Sequence, residues 1–176
     1  MSSGTGSDDV SPEQRISAQY NDLDAEFTLA AICADNPAAL EGIAAMIKPD
    51  EFFDATARLI WSGYQTARAR GETFTIESLM ADSSPRTSVN LSLSIQHVLE
   101  LAAGTPREAE WCAWRVRSAA LTRKILMDLE TVASDLVAGR GEEAASRLRT
   151  AIDQVSLLVA ARRSSAEALA RLNRTG

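Results

Sequence analysis

Few residues in this chain have the type and spacing to act on a substrate. His97 is the only histidine and stands between Ile95 and Val98 in a stretch of helical period. With no second histidine to share a proton or a metal ion, it is not expected to serve as a general base or ligand. Asp50, Glu51 and Asp54 are close enough to suggest a cation site, but beside Pro49 and ahead of an apolar run they fit helix caps and first-turn dipole partners. No serine sits in a Gly-x-Ser-x-Gly elbow or beside a lysine dyad. Gly139-Arg140-Gly141 lacks the lysine of a phosphate-binding loop, and no Gly-x-x-x-x-Gly-Lys-Ser/Thr run occurs elsewhere. No catalytic residue, cofactor or metal site is expected, and the chain should not hydrolyse ATP.

Binding chemistry is better represented. Trp111, Trp114, Arg115, Arg117 and Arg123 form an aromatic and basic stripe of the kind that stacks on and neutralises single-stranded nucleic acid. The competing reading packs one tryptophan where two parts of the fold meet and pairs the arginines with Glu108, Glu110 and Asp128 at helical spacing. An exposed ring would point to a protein partner, since tryptophan and arginine anchor interfaces. The net charge of -6 argues against a general phosphate-binding surface.

The elements that must carry these residues are helical. Hydrophobic residues make up 45% of the 176, yet only 5% are aromatic and alanine is abundant, which favours close-packed helices. Thr105-Pro106-Arg107-Glu108 is a capping box with proline at the first helical position. Ile125, Leu129, Val132 and Leu136 follow at steps of four, three and four. After Gly139-Arg140-Gly141 a second row, Ala145, Leu148, Ile152, Val155 and Val159, has the spacing of a narrow helix–helix seam. The short connection predicts an antiparallel hairpin over 105–163. Leu126, Ala133 and Val137 widen the first stripe, and Leu157 and Leu158 the second. Some apolar surface is therefore left for the rest of the chain or for a second copy to cover.

Ahead of the hairpin, residues 1–22 are polar and small and predict a disordered tail, without the regions of a secretory signal. Asp24 could cap a helix to Ala34, Asn36-Pro37 could open another presenting Leu40, Ile43, Ala44 and Ile47 and stopped by Lys48-Pro49, and Asp50 to Phe53 should form a corner. Asp54 should cap a helix running to Arg70 with Leu59, Ile60, Gly63, Tyr64 and Ala67 in register, terminated by Gly71. A short helix over 76–81 comes next, then a Ser/Pro/Thr/Asn-rich loop over 82–92, then a helical segment with Leu93, Ile95, Val98, Leu99 and Ala102. Residues 164–176 read as a linker-like tail, in which Ser164-Ser165-Ala166-Glu167 offers a further capping box for a short amphipathic turn with Leu169 and Leu172. Cys33 and Cys112, far apart in apolar contexts, read as buried reduced thiols of a cytoplasmic protein.

Several of these stretches, taken in order, resemble the N-terminal domain of bacterial replicative helicases of the DnaB family. They are Glu26 to Ile32, Ile47-Lys48-Pro49-Asp50-Glu51-Phe52-Phe53-Asp54, Arg58-Leu59-Ile60-Trp61, and Arg70 to Thr75 followed by Leu79. The family carries a Lys-Pro-Asp-Phe-Tyr corner, a His-Arg-x-Ile-Phe helix and a Gly-x-Pro-Ile-Asp turn. Phe53, Ala57 and Phe74-Thr75 depart from that pattern at packing and capping positions. The resemblance spans roughly 23–160 and implies an all-α fold, a compact body over 23–104 followed by the long antiparallel hairpin.

It also implies a non-catalytic oligomerisation domain. Hairpins would pair into dimers or trimers of dimers and form a collar that recruits primase or a helicase loader. The residues expected to carry pairing are Ile125, Leu129, Val132, Leu136, Leu148, Ile152, Val155 and Val159, some of which must instead form the intramolecular seam. Two alternatives stand beside it: a free-standing phage or plasmid adaptor of a helicase or primase, and a helical single-strand-binding protein.

Overall fold

The structure, a computed structural model, describes residues 11, 15, 16, 19–81, 85–102 and 104–174, with the side chains of 85–89 outside the description. Among the described residues there is no strand, and no helix is long and apolar enough to cross a membrane. The centre of the fold is α1 (Leu23–Asp35), which packs against three other helices and buries Ala25, Glu26, Phe27, Thr28, Leu29, Ala30, Ile32 and Cys33. A helix covered on nearly every side has little need of an amphipathic stripe. Its cap is Asp22, whose Oδ1 accepts from the Ala25 amide at 3.4 Å. Asp24, expected in that role, is an exposed first-turn carboxylate.

The helix expected after Pro37 is instead a 3₁₀ turn, Pro37–Leu40, continued by turns to Met46. Its predicted apolar residues Leu40, Ile43, Ala44 and Ile47 are nevertheless all buried. The backbone is held open by α2 (Ala55–Arg70): Gln65 Nε2 donates to the Ala44 and Ile47 carbonyls, and Trp61 Nε1 to that of Ile47. Lys48-Pro49 leads into a second 3₁₀ turn that buries Phe52 and leaves Phe53 half-buried.

Asp54 caps α2 through the Thr56 and Ala57 amides at 2.9 and 2.8 Å, and Gly71 ends it at φ +70°. Ile60, Trp61, Tyr64 and Ala67 face inward, whereas Leu59 is exposed. A Cβ on Gly63 would stand 2.9 Å from Leu79 Cδ1 and 3.0 Å from Phe74 Cε2, so glycine is what lets α3 (Ile76–Ala81) lie close to α2.

The polar stretch expected as a loop is helical from Pro85, as α4 (Pro85–Leu101), with 82–84 outside the description. Proline is tolerated in a first helical turn, and Ile95 and Val98 secure the C-terminal half in the core while Leu93 stays exposed. The Thr105 box forms as expected, its amide donating to Glu108 Oε2 at 2.6 Å. Two long helices complete the chain: α5 (Ala109–Val137) and α6 (Gly141–Leu172), antiparallel across Gly139 at φ +76°. No break occurs at Ser164, because Ser164, Ser165 and Ala168 continue the face turned to α5.

Candidate assembly surface on the helical hairpin

The side of α6 that meets α5 is made of small and polar residues. Ala144, Ala151, Gln154, Ala161 and Ala168 are buried there, at steps of seven, three, seven and seven. From α5 come Leu121, Ile125, Val132 and Asp135. Asp128 Oδ2 accepts from Gln154 Nε2 at 3.0 Å, and Asp135 Oδ2 from Arg147 Nε at 3.0 Å, which holds one antiparallel register along the pair.

The seam expected from the sequence therefore faces outward. Leu148, Ile152, Val155 and Val159 are 42–57% exposed, and Ala145 is exposed beside them. Both rows on α6 have helical period, and alanine wins the inner place because its small side chain lets two helix axes approach closely. On α5 the expected row divides: Ile125 and Val132 are buried, while Leu129 and Leu136 are 41% and 60% exposed. Each exposed row lies in the same rotational sense from its seam, so antiparallel packing places both on one side of the hairpin. The result is a continuous two-helix aliphatic face.

The aromatic and basic stripe has a different fate. Arg115 makes a two-pronged pair with Asp22 at 2.8 and 2.6 Å and lies 4.6 Å from the Trp111 ring centroid. Arg117 donates to the Met46 carbonyl at 2.6 Å, with its guanidinium 6.0 Å from the Trp114 ring centroid. Arg123, 8% exposed, donates to the Tyr20 and Glu51 carbonyls at 3.0 and 2.6 Å. None of the three makes the expected pair with Glu108, Glu110 or Asp128; Glu110 pairs with Arg171 and Asp128 with Gln154. Tyr20 and Asp22, expected in a loose tail, are thus tied to α5. Trp111 packs on the core, and both tryptophans are half-buried.

Two buried carboxylates escaped the sequence reading. Glu26 is fully buried, and its two oxygens accept from the Phe53 and Asp54 amides at 2.9 and 2.8 Å, pinning the corner to α1. Burial pushes its pKa up, against the pull of those amides and of Arg123. Asp135, 4% exposed, accepts from Arg140 at 2.6 and 2.9 Å as well as from Arg147. The Arg140 hydrogen bond is the main reason its carboxyl titrates below the usual range.

The remaining candidates are dispersed. His97 is exposed, Asp54 is a cap, Glu51 Oε2 accepts from the Lys48 amide at 2.7 Å, and Asp50 is exposed. No cluster of three or more potential ligands stands among the described residues. Cys33 and Cys112 are free and buried.

Residues 18–114, more than half of the 176, match the family model of the DnaB-like helicase N terminal domain. The match covers the body and ends within the second turn of α5. A search of curated proteins finds no match.

Proposed function

The chain belongs to the DnaB-like helicase N-terminal domain family, and from that premise we propose that it works as a non-catalytic assembly domain of a replicative helicase. A second copy covers the outer face of the hairpin, built by Leu129 and Leu136 of α5 with Leu148, Ile152, Val155 and Val159 of α6. Paired hairpins form a collar, as a dimer or a trimer of dimers, whose outer surface recruits primase or a helicase loader in the cytoplasm. Ile125 and Val132 support the face from within the seam.

The observation that carries this reading is the placement, on α6, of Leu148, Ile152, Val155 and Val159 outside and alanine inside. A two-helix hairpin that worked alone would gain by burying the larger residues, because monomers rarely leave extended apolar patches in water. A nucleic-acid role is less well supported, since Arg115, Arg117 and Arg123 spend donors on Asp22 and on backbone carbonyls. Leu129→Asp combined with Ile152→Asp tests the reading. Both positions are exposed in one copy, so helicity should be kept, while a carboxylate at a closed apolar interface should abolish pairing. Light scattering is expected to give the mass of one chain; an unchanged multimeric mass would defeat the assignment.

A further inference from the structure

We propose that self-assembly also controls the hairpin itself: α6 is firmly docked on α5 only while a second copy covers the outer face. The proposal rests on the self-association reading and adds a conformational step to it.

Three observations carry it. First, α6 brings little apolar bulk to α5, because its buried positions are four alanines and Gln154. Of its large aliphatic residues, Leu148, Ile152 and Leu157 lie 42% exposed or more, and Leu158, Leu169 and Leu172 are no more than half-buried. Second, the seam is interrupted by polar groups that a tight helix pair would avoid. Gln154 Oε1 is buried without a hydrogen-bond partner, and Asp135 relies on Arg140 and Arg147, each half exposed. Third, among the described residues the anchorage to the body belongs to α5. Ala109, Cys112, Ala113 and Val116 lie in the core of the body, and Arg115, Arg117 and Arg123 tie α5 to residues 20–51. The main neighbours of α6 are α5 and the turn Pro106–Glu108, and its C-terminal ion pair, Arg171 with Glu110, is solvent-exposed.

A helix held, however long its seam, mainly through small and polar side chains exchanges between docked and open forms. The aliphatic face exists only when α6 is docked, because both helices supply it, so a second copy binds the docked form and draws the population toward it. Dilution then loosens 141–172 and leaves the body intact.

The test is backbone hydrogen exchange on the full chain at concentrations above and below the dissociation midpoint, with the mass measured in parallel. In the dissociated protein, peptides within 141–172 are expected to exchange at least ~10-fold faster, while those within 23–35, 55–70 and 109–124 keep their protection. Ile152→Glu, monomeric at all concentrations, should behave as the diluted protein does. Adding Asp128→Leu with Gln154→Leu should restore protection by making that layer apolar. Dissociation with α6 protection unchanged overturns this inference and leaves self-association standing. A single-chain mass at every concentration with α6 fully protected overturns both.

Discussion

Replacing Glu26 tests how the body holds its shape. The side chain is fully buried, and its two oxygens take the amides of Phe53 and Asp54 at 2.9 and 2.8 Å, the point where the Pro49 corner turns into α2. A hydrogen bond to a charged group contributes roughly 1.5–3 kcal/mol, so Glu26→Ala should cost about 3–5 kcal/mol by removing both and leaving two amides unpaired. That is a large part of the ~5–15 kcal/mol available to a domain. Glu26→Gln keeps one acceptor and the shape, and should cost about half as much. The measurement is urea unfolding followed by circular dichroism at one fixed protein concentration, because assembly adds to apparent stability. A pH series adds a sign. Since burial raises the folded-state pKa, the contribution of Glu26 is complete below its unfolded value of 4.5 and declines as pH rises through the folded value; Glu26→Gln should remove that slope. A loss below ~1 kcal/mol for Glu26→Ala, the size of an ordinary surface change, would refute the reasoning.

Other outcomes follow from single groups. Asp135 titrates below its unfolded value of 3.8, so its contribution is present above that value and disappears as pH falls through the folded one. Protection factors around residues 132–150, taken against the intrinsic exchange rate at each pH, should fall in acid for the native chain and show less pH dependence in Asp135→Asn; identical profiles would contradict the role given to the Arg140 and Arg147 contacts. Cys33 and Cys112 are buried, with burial pushing both thiols up and that of Cys112 to about 12. Alkylation at pH 8 should be slow in the native chain and complete on unfolding, and rapid native labelling would show the core to be open.

Local chemistry was legible wherever a cap or a terminator acts within a few residues. Asp54, Gly71 and the Thr105–Glu108 box stand where the sequence places them. The apolar residues of the second segment were legible as core, though their helix was not, because Gln65 and Trp61 claim its carbonyls from another element. The extension of α4 back to Pro85 ran against a polar composition that favours loops, and helix propensity is a weak prior beside packing. In the hairpin, periodicity identified both rows of α6 without saying which would be inside; that depends on how closely two axes can approach. The partners of Arg115, Arg117 and Arg123 were out of reach because they lie 71 or more residues away, where helical spacing gives no guidance. Glu26 left one local hint, a carboxylate beside Phe27 in an apolar run, and Gln154 had no such hint.

The most direct test of the central claim is the mass of the unaltered chain by sedimentation across a dilution series. Covering the aliphatic face of α5 and α6 with a second copy predicts a mass of two chains or a multiple of two, falling to one chain on dilution. A mass of one chain at every concentration, up to the solubility limit, would contradict it.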